Sequence, residues 1–352
     1  MLQKIRKTIL VMAAAVIVLS PAAKAAEYST QSAQNEENCI SWILQALQQD
    51  KDEAQPEKAE QPAAAKSGFE VQDGRLYHYT DGQLDVYQPG FVQIEDGVYH
   101  VSAAGSVIDP YPAGMVKVDG VLCHVSVTGS HFDNYPAGFV TIDGKLYHVS
   151  KDGYAIDSYS AGEHEIDGGL YYVQKDGSFL TNGSVGHLTF GADGRYTSGN
   201  AVLDSYVDQA LAECTNSSMT KSQKLRAAYL YVRDHGAYLA RPHQARGTTA
   251  WAEESALFMF EHKKGNCYCF AGLFMYCARQ LGYQAYVVAG WESNPTNDHA
   301  WTMIEQDGKT LLYDAQLEYA YLYMFHREPV DMFGAEEQDG MYRGFRYYFP
   351  EE

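Results

Sequence analysis

Three groups in the last third of the chain have the types and spacing for covalent chemistry. Gly265-Asn266-Cys267-Tyr268-Cys269-Phe270-Ala271-Gly272 presents a thiol, Asp298-His299-Ala300-Trp301 an imidazole and Leu312-Tyr313-Asp314 a carboxylate. A carboxylate that fixes an imidazole, which in turn takes a proton from a thiol, makes cysteine a nucleophile. The elements that must position them can be read nearby. Lys264-Gly265 closes one helical run. A second starts near Cys267 and continues through Phe270, Leu273, Phe274, Cys277 and Leu281 at helical spacing, until Gly282 ends it. A thiol at a helix N-terminus faces the positive end of the macrodipole, which favours the reactive thiolate. Gln284 to Gly290 reads as a strand. Ala300 to Ile304 pairs through an Asp307-Gly308 turn with Thr310 to Asp314, so His299 and Asp314 fall near the same end of one hairpin.

Gly265-x-Cys267-x-x-Phe270-Ala271, His299-Ala300-Trp301 and Tyr313-Asp314 together resemble the core of the transglutaminase-like, papain-type cysteine enzymes. The resemblance covers about the last 150 residues, and the helical run Lys221 to His235 followed by Tyr238 is similar to the segment before the family's nucleophile. It implies Cys267 as nucleophile, His299 as base and Asp314 as the acid that orients it. Cys269 departs from the pattern, since many relatives carry a small or polar residue there.

The chemistry expected is acyl transfer. Cys267 attacks a carboxamide or peptide carbonyl, His299 protonates the departing amine, and a thioester results. Water then gives hydrolysis, whereas an amine gives a crosslink. The Cys267 N–H is one oxyanion donor. Trp251, His243 and Gln244 are equal candidates for the second. Singly, each triad member has a plainer reading: a buried thiol, a strand-end histidine, a turn acceptor. The ordered set outweighs those readings. Cys269 and Cys277 are read as buried structural thiols. A zinc site from Cys267, Cys269, His262 and His299 is disfavoured, because Cys-x-Cys in a helix converges poorly on one ion. Neither a metal nor a cofactor is expected.

A formal charge of −19 without a basic stripe excludes nucleic acid as a partner. Lys4, Arg6 and Lys7, the apolar run Thr8 to Leu19 and Ala23-Lys24-Ala25 form a signal-peptide pattern over residues 1–25. No other apolar run is long enough to cross a bilayer, so no membrane is expected after cleavage. The six cysteines show no disulfide framework spacing. Residues 26–67 are rich in Gln, Glu, Ala and Lys and read as a disordered linker or stalk, with one short helix at Ile40 to Leu47.

From Gly68 the chain repeats. Units start at Gly68, Gly90, Gly114, Gly138 and Gly162, with a step of 24 residues after a first step of 22 and a partial unit after Gly186. Each alternates apolar and polar residues around an Asp-Gly turn such as Asp119-Gly120, the mark of a hairpin. A lone hairpin cannot bury a face, so the units must stack. Tyr77, Tyr99, Tyr147 and Tyr171 are expected to pack between neighbours. The array resembles the cell-wall or glucan-binding hairpin repeats of Gram-positive surface proteins. It lacks their tryptophans, since Trp42, Trp251, Trp291 and Trp301 all lie outside it. A structural spacer and a wall-binding array therefore both stand. His78, His100, His124 and His148 recur once per unit, too far apart for a shared metal.

The fold class expected is α+β: an all-β hairpin-repeat solenoid at 68–195, then a transglutaminase-like domain of helices plus antiparallel sheet at 196–352. The function expected is that of an exported cysteine peptidase, amidase or acyltransferase at a bacterial cell surface or wall. It would act on peptide or protein substrates, with a wall glycan or polymer as partner of residues 68–195. The alternative is a non-enzymatic wall-binding or adhesion protein.

Overall fold

The structure, a computed structural model, describes residues 66–125, 130–328, 330–337 and 340–350. The signal-peptide pattern, Cys39, Trp42 and nearly all of the 26–67 stalk lie outside the described residues.

The repeats fold as two-stranded antiparallel hairpins. The pairs are Gly68–Gln72 with Arg75–Thr80, Gly90–Ile94 with Gly97–Val101, Gly114–Val118 with Val121–Val125, Gly138–Ile142 with Lys145–Val149, and Gly162–Ile166 with Gly169–Val173. Turns such as Asp119-Gly120 place both central residues at positive φ (49° and 85°), the twist that a two-residue hairpin needs. A shorter hairpin pairs Gly183–Val185 with Leu188–Phe190. Gly186 (φ 56°) sits in its turn, so this last unit begins before the residue expected to start it.

Alternation decides which residues go inside. Ile94, Val101, Val118, Val125, Ile142, Val149, Ile166 and Val173 are all buried. Connecting segments then tie hairpin to hairpin. Ile108 bridges both Leu76 and Val101, and Phe132 bridges both Val98 and Val125. Of the recurring tyrosines, Tyr99 packs on Phe69 of the preceding hairpin and Tyr171 stacks on Phe139 of its own predecessor. The chain divides into two compact units. One ends at Pro136 and also takes Lys151–Ile156; the other takes Ala137–Ser150 and everything from Asp157, so the last hairpins belong with the C-terminal domain.

In that domain α1 (Ala201–Cys214), α2 (Lys221–Asp234), α3 (Ala252–His262) and α4 (Cys267–Gln280) precede a sheet of β1 (Gln284–Glu292), β2 (Asp298–Gln306) and β3 (Lys309–Tyr313). A short helix α5 (Ala315–Tyr319), β4 (Phe333–Ala335) and β5 (Tyr347–Tyr348) follow, giving a strand order of β4-β3-β2-β1-β5. Helices thus lead into an antiparallel sheet, the α+β class expected. Thr220 caps α2 by the reciprocal bond pair that its spacing to Gln223 predicts: Gln223 N–H to Thr220 Oγ1 at 3.2 Å and Thr220 N–H to Gln223 Oε1 at 2.8 Å.

The sequence shows α4 as an amphipathic stripe, but the structure buries 13 of its 14 residues. The other helices take one side of α4 and the sheet takes the other, which is why an all-round apolar helix is tolerated here. Gly272 allows the close approach of α3, since a Cβ there would lie 2.7 Å from the Ala252 carbonyl. The aromatic residues after α5 divide between two cores, with Tyr319 and Phe333 packed on the main one. Met332, Ala335, Tyr342 and Tyr347 close a second core over Trp301, Met303 and Leu312.

Among the described residues no helix is long and apolar enough to cross a membrane.

Candidate active site

Cys267 is the first residue of α4. Its cap, Asn266, has extended backbone (φ −96°, ψ −172°) and supplies no side-chain cap. Gly265 is required two residues earlier because Cys269 folds back over it. A Cβ on Gly265 would overlap the Cys269 Cβ and lie 2.6 Å from its Sγ. Cys269 is fully buried, receives the Arg241 guanidinium at 3.1 Å, and has its thiol pushed up by burial against the pull of Arg241. Cys277 is likewise fully buried and pushed well up by burial. Both are structural thiols, as expected.

His299 is the second residue of β2, and Asp314 follows directly on β3 as the N-cap of α5. The structure brings the two together: His299 Nε2 lies 2.6 Å from Asp314 Oδ2. Asp314 Oδ2 also accepts from the Tyr347 hydroxyl at 2.6 Å, and Oδ1 accepts from the Leu317 N–H at 2.9 Å. Three donors thus converge on one buried carboxylate. The Cys267 thiol lies within electrostatic reach of the His299 ring. Burial alone would lower the His299 pKa, but the charges of Asp314 and Cys267 outweigh it and hold the imidazolium well above the usual histidine range. Cys267, His299 and Asp314 are 5%, 7% and 2% exposed, so the three sit in a nearly dry site.

The supports come from elsewhere in the chain. Thr302 on β2 donates to the Ala271 carbonyl on α4 at 2.9 Å, which sets the strand of the imidazole against the helix of the thiol. Glu318, buried on α5, accepts from Tyr229 at 2.8 Å, the Met332 N–H at 2.7 Å and Arg233 at 3.1 Å, and so fixes the helix that Asp314 caps. Gly290 pairs with His299 across the sheet. A Cβ on Gly290 would overlap the Tyr348 carbonyl and lie 2.8 Å from the Trp301 ring.

The candidate oxyanion donors fall differently. The Trp251 indole N–H is already given to the Thr248 carbonyl at 2.6 Å, and His243 Nδ1 faces Asp298 at 3.3 Å. Gln244 is met through its backbone, whose carbonyl accepts from Tyr268 at 3.4 Å. Tyr238, named in the sequence only as a neighbour of α2, pairs in parallel with Gly265, two residues before the nucleophile. Its phenol is raised first by burial and then by the charge of Cys267, which places it within electrostatic reach of the thiol. Among the described residues no protein group hydrogen-bonds that hydroxyl. Sequence spacing gave no sign of Tyr347 or Glu318, because each reaches the site only through the tail or α5.

The disfavoured zinc set does not assemble. His262 bonds to the Phe258 carbonyl at 3.1 Å, Cys269 faces Arg241, and no metal-holding cluster occurs among the described residues.

Residues 208–311 match the Transglutaminase-like superfamily, a span that takes in Cys267 and His299 and stops short of Asp314. The C-terminal domain is transglutaminase-like. Among solved structures, a TGase is 24% identical over 32% of this chain and 30% of its own, with a TM-score of 0.24. CbpF in complex with ipratropium is 13% identical over 38% of this chain and 39% of its own, with a TM-score of 0.28. The choline binding domain of Spr1274 from Streptococcus pneumoniae is 20% identical over 24% of this chain and 95% of its own, with a TM-score of 0.19. The chain thus spans well under half the length of CbpF and of the TGase. No curated protein matches it.

The last hairpins seat on the transglutaminase-like domain at the end of α4 away from Cys267. Lys224 on α2 reaches Glu165 at 2.5 Å, and Gln284 at the start of β1 accepts from the His187 N–H at 2.6 Å. A helix of this length puts that end about 20 Å from the thiol.

Proposed function

We propose that the protein is an exported, surface-associated cysteine enzyme that transfers acyl groups from peptide or carboxamide substrates through a thioester on Cys267. The observation that carries this reading is the 2.6 Å contact of His299 Nε2 with a triply held Asp314, on a ring within electrostatic reach of Cys267 at the start of α4. The raised imidazolium is the proton donor that a departing amine needs. The Cys267 sulfur bonds to the carbonyl carbon, and the tetrahedral oxyanion is met by the Cys267 N–H and the Tyr238 hydroxyl. The carbon–nitrogen bond breaks as His299 protonates the amine, leaving the thioester and a neutral imidazole. His299 then takes a proton from water, whose oxygen attacks the thioester, and the thiol group leaves with its electron pair. Hydrolysis is placed ahead of crosslinking because water, present in large excess, is the default acceptor for the thioester.

Export rests on the signal-peptide pattern of residues 1–25, and the hairpin array would hold the enzyme at the wall. In the first compact unit a groove of about 290 Å³ lies between Phe91, Val92, Gln93, Val98, Asp152 and Tyr154. Aromatic faces beside a carboxylate suit a sugar ring or an organic cation.

Intact-product mass spectrometry tests the proposal. The protein and its Cys267→Ala variant are incubated with a peptide and wall-stem-peptide library plus a primary amine. Water-addition fragments lost in the variant are expected. Amine adducts lost in the variant would move the reaction to transamidation. No Cys267-dependent product across the library would overturn the enzymatic reading in favour of a binding module.

A further inference from the structure

The recurring histidines of the array carry a device of their own. His100 Nδ1 lies 2.8 Å from Asp109 Oδ2, and its Nε2 lies 3.0 Å from Asp119 Oδ2. His78 repeats the pattern, with Nδ1 at 2.7 Å from Asp85 Oδ2 and Nε2 at 3.2 Å from Glu95 Oε1. His124 and His148 hold Asp133 and Asp157 through Nδ1 at 2.5 and 2.6 Å. In each case the Asp lies on the connecting segment, and its backbone N–H bonds back to the carbonyl of the same histidine at 2.8 to 3.0 Å. The other acid, Glu95 or Asp119, is the first residue of the next hairpin's turn, at φ 51° or 49°. The acid that shapes each turn therefore also grips the previous repeat.

A carboxylate only accepts, so an imidazole facing carboxylate oxygen through both ring nitrogens needs a proton on each. The neutral ring has one N–H and can satisfy one side. A tyrosine stands ready at the other. Tyr87, Tyr111 and Tyr135 place their hydroxyls 2.8, 2.9 and 2.8 Å from the Nδ1 of His78, His100 and His124. Each can donate to Nδ1 once that proton is lost, although the bond to the adjacent Asp is then gone. Phe69, Phe91 and Phe139 meet the rings of His78, His100 and His148 edge-on, at 4.8, 5.4 and 4.9 Å, and limit water on that face.

We propose that the His100 clasp, whose two-sided geometry His78 repeats, joins successive hairpins in a proton-dependent way, tight while the His100 imidazole is charged and looser once it is neutral. The groups that face His100 are Asp109, Asp119 and Tyr111, with the uncharged Phe91 on the fourth side. Burial acts to lower the His100 pKa, and Asp119 and Asp109 together more than offset it, so the net direction is upward. The sign follows. A raised folded-state value makes the clasp's contribution complete below about pH 6.5, the ordinary histidine value, and lost as pH rises through the folded value. The joint at His100 is thereby firm below the ordinary histidine value and slackens as pH rises through its raised one. This inference does not depend on the catalytic reading.

The test is hydrogen–deuterium exchange mass spectrometry on the full chain, from about pH 6 to about pH 9, corrected for base-catalysed exchange, with a parallel imidazole NMR titration. Peptides from 90–125 are expected to lose protection severalfold across that range in the wild type. In His100→Gln they should start less protected and change little with pH. Peptides from 267–280 serve as the internal control in both proteins. Asp119→Asn keeps the ring and removes one carboxylate, and should shift the His100 titration downward, so a misfolded His100→Gln leaves the proposal testable. His100 titrating at or below the ordinary value, or an unchanged pH dependence in either folded variant, would overturn it.

Discussion

The molecule uses the same three residue types in two settings. His299, Asp314 and Tyr347 sit in the C-terminal domain, and His100, Asp109 and Tyr111 sit in the array. Each histidine is held to its Asp at 2.6 to 2.8 Å. In both, burial opposes the charged ring and nearby negative charge restores it. The difference lies on the ring's remaining side. His299 has the thiol of Cys267 within electrostatic reach, whereas His100 meets the second carboxylate of Asp119. One arrangement can hand its proton to a reacting group; the other can only hold two hairpins together. A His–Asp pair is thus a proton holder whose third neighbour decides what the proton is for.

Asp314→Asn should separate the two most sharply. By analogy with the serine triad, turnover of a Cys267-dependent substrate is expected to fall by up to about 10⁴-fold. Asp109→Asn should leave turnover unchanged. In wild type the alkaline limb of the kcat/KM profile should lie above about 6.5, since His299 is raised, and in Asp314→Asn NMR should show that histidine titrating lower. An unshifted His299 would mean that Asp314 is not its main electrostatic partner.

Tyr238→Phe leaves the His299–Asp314 pair intact and removes only the proposed oxyanion donor. A loss of about 10²- to 10³-fold in kcat with KM little changed is expected from steady-state kinetics. A change confined to KM would make Tyr238 a substrate contact instead.

The tyrosines sharpen the contrast further. Tyr347 is buried and donates to Asp314 at 2.6 Å, so Tyr347→Phe should cost about 1.5–3 kcal/mol by denaturant unfolding. Tyr111 is only partly buried, and Asp109 keeps His100 as a donor, so Tyr111→Phe should cost about 1 kcal/mol or less. Equal costs would show that the two settings differ less in burial than their geometry implies. Smallest of all is Glu165→Gln, which breaks the bridge to Lys224. The Glu165 side chain is 55% exposed, and the loss should be within about 1 kcal/mol.

Several features could be read directly from the chain. The hairpin period follows from alternation and Asp-Gly turns, which depend on neighbours in sequence. The cap of α2 and the glycine at the end of α4 are local for the same reason. Cys267, His299 and Asp314 were legible because each opens or follows an element whose type the pattern reveals. Their supports were not. Tyr347 reaches Asp314 only because β5 joins the sheet beside β1, and Tyr238 approaches Cys267 only through a two-residue pairing with Gly265.

The histidine of each repeat was visible as a recurrence, without its purpose. Element types, the repeat period and the order of thiol, imidazole and carboxylate follow from the chain alone, since short-range backbone preference and hydrophobic spacing set them. Only the tertiary structure decided what stands on the far side of each imidazole. That choice depends on packing between segments distant in the chain, and it makes one histidine a candidate catalyst and the others clasps.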